Sequence, residues 1–583
     1  MRGGALALVA LVCAAFVSAQ QAGAPDVQLR AMRDELERAK KMSLAGLEPP
    51  YFVQYLIDES QNFTVSASLG GLLSRRVQKI RSPEVRVRVG DYKFDNSNYT
   101  GSGFNFGARY DLGSFPLENQ YDVLRRYLWL QTDSAYKSAV EALARKRAAL
   151  RNITQSEQIA DFAKAPVLRS VKPLPQLTLN QEEWTQRVRQ ISAAFARYPE
   201  VKNSGVELEA SAGGFTLVNS EGTEAREPES VTFLRIRAVA QAPDGMSLRD
   251  SVTFHAMDPK DLPDTRQAEA AVKTLSETVT GLSKAPKGED YSGPVLFEGM
   301  AGAQIFAEVL GKNLGLTRRP VSEGGRGGAF QPTELEGRIG ARVLPDSFDV
   351  VDDPTRKEWK GRKLLGHYEA DREGVAPKPV QVVEKGVLKA YLLTRQPVRG
   401  FEGSNGRAKL PGNYGASTPT ISNLFVTASN PVPVAELKKK LIELIQARSK
   451  PYGIIVRKMD FPSVGSLEEV RRFLQGAQGG RAVSIPLLVY KIFPDGREEL
   501  IRAVRFRGLN ARSLKDVLAA GDDAAVFDYM ENGVAFAWSG GGGFSTGAAV
   551  IAPSILVDDL ELHPLEDELP KLPVVPAPTL SVR

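Results

Sequence analysis

Cysteine and histidine are nearly absent. The 583 residues contain one cysteine, Cys13, and three histidines, His255, His367 and His563. Cys13 falls in an N-terminal segment expected to be removed, so the mature chain offers no thiol. That excludes disulfides and thiolate metal centres and leaves stability to packing. No histidine has a second within one helical turn, so no His-rich metal site can be read. After the N-terminus no apolar run is long enough to cross a bilayer as a helix. One-sided charge is also missing: 75 basic residues face 69 acidic ones, a net charge of +6. With no Lys/Arg block interleaved with aromatics, nucleic acid is not an expected partner. The 42% hydrophobic and 25% charged fractions are those of an ordinary folded protein, and the length calls for more than one core.

The N-terminus has the order of a secretory signal. Arg2 precedes an apolar run over 5–16, and Val17, Ser18 and Ala19 place small residues where a signal peptidase reads. Cleavage is expected before Gln20, which makes the protein exported, either periplasmic or secreted. Val12 before Cys13 is a poor fit to a lipoprotein site.

Periodicity predicts helices over 26–42, 119–152, 181–198, 265–282 (with Asp264 as cap) and 434–446. Strands are predicted over 51–57, around Val85, Val87 and Val89, and over 206–210, 215–219, 231–239, 251–254, 380–393 and 485–493. The last is closed by Pro494, Asp495 and Gly496. Proline punctuates 166–175, and Pro564, Pro570, Pro573, Pro576 and Pro578 mark an extended tail. The organisation predicted is a signal at 1–19, an N-terminal α/β domain at 20–175, a central domain at 176–290, a C-terminal domain at 291–563 and a Pro-rich tail at 564–583.

Common catalytic motifs do not appear. The glycines of 540–543 lack the lysine of a phosphate loop, and those at 324, 325, 327 and 328 suggest a mobile loop. Ser292 and Ser539 stand in no nucleophile elbow. Asp352 and Asp353 are adjacent, as are Asp558 and Asp559, so in strands they would face opposite ways. The segment after Phe297 is more informative. Ala303, Phe306, Ala307 and Leu310 form an apolar stripe, while Glu308 and Lys312, four apart, are placed for an exposed ion pair. By itself that is an amphipathic helix.

Several segments together resemble the TldD/PmbA family of metallopeptidase-like proteins. They are Pro294-Val295-Leu296-Phe297-Glu298-Gly299 with Ala303-Gln304-Ile305-Phe306; Gly337-Arg338-Ile339-Gly340 with Arg342 and Val343; and Asp352-Asp353-Pro354. To these add Asp371, Glu373 and Gly374; Glu384-Lys385-Gly386-Val387-Leu388 with Tyr391 and Leu392; Ile421-Ser422-Asn423; and the last strands over 505–515 and 553–560. The resemblance covers about 294–562 and extends more weakly upstream. In catalytic members of the family, His-Glu-x-x-x-His on the helix and a later cysteine hold zinc. Laid on this chain, the first His position is Ala307, the Glu is Glu308, and the second His is Lys312. The cysteine position falls near Ser539. The resemblance thus leaves Glu308 as a candidate base and no metal ligand. Zinc, the family's cofactor, is not expected here.

The fold expected is mixed α+β: an N-terminal helix/sheet domain, a strand-rich central region and a C-terminal domain of the TldD/PmbA type. The function implied is a metal-free, non-catalytic partner in peptide binding or proteolysis outside the cytoplasm. Its partner would be a second copy or a metal-bearing TldD-like paralogue, and its substrate an unfolded peptide or protein. Two alternatives are an active metallopeptidase drawing on other ligands, such as Glu298, Glu308 and a distant histidine, and a peptide-binding module with no peptidase partner. The family's association with DNA gyrase concerns cytoplasmic members and does not extend to an exported chain.

Overall fold

The first helix begins where a side chain can close it. Asp26 accepts the backbone N–H of Leu29 and opens α1 (Val27–Ala39). Next come two 19-residue strands, β1 (Pro50–Ser68) and β2 (Gly71–Val89), paired antiparallel as one long hairpin. α2 (Tyr121–Leu150) and α3 (Gln181–Ala193) lead into β3 (Val201–Asn219), β4 (Glu224–Gln241) and β5 (Ser247–Ala256). α4 (Thr265–Lys284) starts at Asp264, which makes a complete capping box with Gln267. The computed structural model describes residues 26–100, 115–151, 158–322, 330, 332–412, 415–461, 483–532 and 545–565. The expected signal segment, Cys13, the glycines of 324–328, Ser539, the 540–543 run and nearly all of the Pro-rich tail lie outside them.

These strands form one antiparallel sheet in the order β2-β1-β3-β4. β5 lies along one part of β4, and a short parallel strand, Arg169–Val171, along another. Alternation divides the sheet's two faces. On one, Phe63, Val65, Val206 and Leu208 pack under α3 and α4, while Val53, Tyr55 and Ile57 pack under α1 and α2. The other face presents Glu207, Glu209, Ser211 and Phe215 of β3 in register with Arg235, Phe233, Val231 and Glu227 of β4. The separate strands expected over 206–210 and 215–219 are one continuous strand. Gly213 and Gly214 carry it where an added Cβ would lie 1.9 Å from Glu59 O and 2.0 Å from Glu227 O. Because β1 pairs with β3, residues of 20–175 and 176–290 share this sheet.

Two larger sheets build the described part of the C-terminal region. One runs β9-β8-β7-β10-β17-β16, from β7 (Phe348–Asp352), β8 (Val380–Glu384), β9 (Val387–Leu388), β10 (Asn423–Ala428), β16 (Ala525–Glu531) and β17 (Thr546–Ala552). The other runs β13-β12-β11-β6-β18-β14, from β6 (Tyr291–Phe297), β11 (Gly453–Met459), β12 (Pro486–Ile492), β13 (Glu498–Ile501), β14 (Val504–Arg507) and β18 (Ile555–Pro564). β15 (Val517–Ala520) also pairs with β18. The helix α6 (Val434–Ala447) packs outside this second sheet through Leu437, Leu441 and Ile445. Between the two sheets lies α5 (Met300–Ile305), continued by a π-helical turn over Phe306–Leu310. Contacts from α5 reach β6 and β11 on one side and β16 and β17 on the other. The architecture is mixed α/β, as the composition of elements predicts.

The helix after Phe297 departs from its sequence reading. It is buried on every side, not amphipathic, because a sheet covers each flank. Gly302 sits where a Cβ would come 2.3 Å from Pro553 O, so only glycine allows this approach. Among the described residues no helix is long and apolar enough to cross a membrane.

Candidate functional site

The buried helix places Ala307, Glu308 and Lys312 in the interior, and the exposed Glu308–Lys312 pair does not form. The methyl of Ala307 is fully covered. Glu308, 5% exposed, turns Oε1 to Ser484, accepting its N–H at 2.6 Å and its hydroxyl at 2.9 Å. Its Oε2 is buried with no hydrogen-bond partner. Burial pushes the Glu308 carboxyl up to about 8, against the weaker opposing pull of the Ser484 donors and Lys312. The ammonium of Lys312 instead donates to Glu531 at the end of β16, with side-chain exposures of 9% and 2%. Glu531 also accepts the Asn532 N–H at 2.9 Å and the Tyr529 hydroxyl at 3.2 Å. The π-turn lies within this stretch, and such single turns often mark functional positions.

Zinc needs lone-pair donors. A methyl has none, and an ammonium held by a carboxylate has none to give. The residues at these positions therefore do not fit a zinc ion. No group of three His, Cys, Asp or Glu suited to a metal occurs among the described residues. Glu298, the other acid considered as a ligand, is engaged by Arg457 at 2.6 Å and Lys438 at 3.1 Å. His563 is paired with Asp290 at 2.6 Å.

The segments singled out beside the helix are brought together as a support. Asp352, fully buried, accepts Arg407 Nε at 2.6 Å, the Ser422 hydroxyl at 2.6 Å and the Ser422 N–H at 2.7 Å. Asn423 donates to Asp353 O and Arg356 O. Asp371 accepts three backbone N–H groups, from Glu373, Val375 and Ala408, and burial followed by the nearby Glu373 raises it to about 7. These acids hold loops in place.

Sequence reading missed the cleft in front of them. It has a volume of about 470 Å³ and a floor made by the outer face of β3, β4 and β5. Its roof is 365–372, Lys409, Met530 and 545–547. Roof and floor are tied by Arg372, which forks onto Asp58 at 2.8 and 2.7 Å, and by Glu227, which accepts the N–H groups of Glu369 and Ala370. Burial raises Glu227 to about 7. The floor carries Glu209, Glu229, Phe215, Phe233 and Arg235, and His255 and His367 both reach the cleft. His255 is kept neutral, lowered to about 3 by burial and by Arg235 and Arg362. Lys409 donates to Ile421 O and Gly547 O, and burial lowers it to about 8. Met530 in the roof directly precedes Glu531, so the cleft and the Lys312 site lie on opposite faces of the end of β16. The signal that could have revealed the cleft is the period-two run of acids, aromatics and Arg over 207–215 and 227–235.

Two sheets clasp a buried helix, with a cleft against a third sheet. Residues 290–460 match the family described as the PmbA/TldA metallopeptidase C-terminal domain, the family that the sequence resembles. A metalloprotease of Archaeoglobus fulgidus is 35% identical over 96 residues, which is 16% of this chain and 20% of that protein; the chain thus matches about a fifth of that relative's length. Three solved structures share the fold. A candidate modulator of a DNA gyrase from Thermotoga maritima covers 91% of this chain and 99% of its own, at TM-score 0.56 and 16% identity. TldE from Thermococcus kodakarensis covers 91% and 99% at TM-score 0.52 and 13% identity. A candidate modulator of DNA gyrase from Bacteroides thetaiotaomicron covers 92% and 98% at TM-score 0.53 and 12% identity. At these identities the likeness concerns the fold alone.

Proposed function

We propose that this chain is a metal-free, non-catalytic subunit that holds unfolded peptide outside the cytoplasm. It would do so as a homodimer or beside a metal-bearing TldD-like paralogue. The observation that carries the reading is Lys312: its ammonium, where the resemblance lays the second family histidine, is neutralised by Glu531. Ala307 at the first histidine position supports it. With no metal to activate water, Glu308 has no nucleophile to prepare. What remains is the cleft, whose sheet floor and mixed polar and aromatic lining suit an extended chain. The order of Arg2, the apolar run and Val17-Ser18-Ala19 supports export, with Gln20 as the mature N-terminus. Closed dimers are the commonest soluble assemblies.

Restoring the family ligands tests the placement. Ala307→His and Lys312→His combined with Ser539→Cys should raise zinc affinity well above that of the natural chain, and the double His variant alone should bind weakly. A triple variant that folds and gains no zinc affinity would show that these residues do not occupy the family's ligand positions.

A further inference from the structure

We infer that the cleft selects extended peptides bearing basic side chains, with Glu209 and Glu229 as the groups that receive them. The inference rests on the peptide-binding reading above and names its substrate class. Most charges lining the cleft are already satisfied. Arg372 is neutralised by Asp58 and Glu84, and Glu227 and Asp371 accept backbone N–H groups. Glu209 and Glu229 differ: among the described residues neither carboxylate makes a hydrogen bond or an ion pair. Both stand on the floor, where Glu207, two residues before Glu209, is paired with Arg235.

Their environment favours an arriving cation. Desolvation in the cleft raises both carboxyls, Glu209 further through Glu207 and Glu229 further through Asp58, against the weaker pull of Arg235 on Glu209 and of Arg372 and Lys409 on Glu229. A bound ammonium or guanidinium would relieve that cost, whereas a nucleic-acid phosphate would add to it. The spacing argues against a single metal ion. Glu229 stands opposite Gly213, four residues along β3 from Glu209, so the two carboxylates are about 14 Å apart at strand rise. That cannot close on one cation, but it equals the span between same-face positions i and i+4 of an extended peptide.

A second group points to peptide independently. Arg235 lines the same floor, is 7% exposed, and its Nε–H has no acceptor. An orphaned buried donor calls for an acceptor such as a main-chain carbonyl. Phe215 and Phe233 on the same face offer surface for the aliphatic stems of Lys or Arg.

The test uses the full mature chain and three fluorescent peptides of one Ser/Thr/Val sequence. They carry Lys, Gln or Glu at two positions four apart, and binding is read by anisotropy. The Lys peptide should bind about tenfold tighter than the Gln peptide and lose that margin as salt rises; the Glu peptide should bind weakest. Glu209→Gln with Glu229→Gln should abolish the preference while leaving Gln-peptide binding intact, which also reports that the variant folds. Arg235→Met should weaken the Gln peptide, which has no charge to answer the Glu207 carboxylate that the substitution frees. Equal binding of Lys and Gln peptides, or a preference that survives the double variant, overturns the inference and leaves the peptide-binding reading standing. No binding of any of the three overturns both.

Discussion

The ammonium of Lys312 lies against the carboxylate of Glu531, and protein covers both almost completely. The pair joins the central helix to the end of β16. Removing one partner leaves an uncompensated buried charge, which typically costs about 3–5 kcal/mol. Lys312→Met should therefore shift the urea midpoint sharply downward. Lys312→Met with Glu531→Gln should recover much of the loss, because no charge is then stranded. Equal destabilisation by the single and double variants would mean that the pair is not coupled.

Glu308 gives a pH signature. Its folded pKa, about 8, lies above the ordinary carboxyl value because of burial. A raised folded pKa means the native state binds the proton more tightly. The contribution to stability is then fully present below about pH 4.5 and is lost as pH rises through about 8. Glu308→Gln keeps an oxygen for Ser484 but cannot ionise. Melting temperatures of the variant and the natural chain should be close near about pH 5, with the variant pulling ahead by about pH 9. A difference that does not change with pH would contradict the assignment.

Asp352 should prove structural. It gathers Arg407 and Ser422 in a site without solvent. Asp352→Ala strands the Arg407 guanidinium and should cost about 3–5 kcal/mol. Denaturant unfolding checks it. A loss of under about 1 kcal/mol, the scale of an exposed pair, would contradict the burial argument.

Much of the fold was legible where local rules decide it. Asp264 caps the helix it precedes and Pro494-Asp495-Gly496 closes its strand, both as read, while Asp26, read as the first helical residue, is the cap of its helix. The helix after Phe297 was placed correctly but given the wrong surroundings. Its stripe of Ala303, Phe306, Ala307 and Leu310 fits an amphipathic helix equally well, and only the second sheet closing over Glu308 and Lys312 makes it a buried one. The partner of Lys312 lies 219 residues away, beyond any helical-spacing rule. The cleft was invisible for a related reason. Glu209 and Glu229 come to share one floor only through the β3–β4 register, and the roof comes from a segment more than a hundred residues later.

The most direct measurement is metal content and peptidase activity of the purified mature chain, by elemental analysis and an unfolded-casein assay with and without chelator. The account predicts zinc far below one equivalent and no cleavage. One equivalent of zinc with chelator-sensitive cleavage would contradict it.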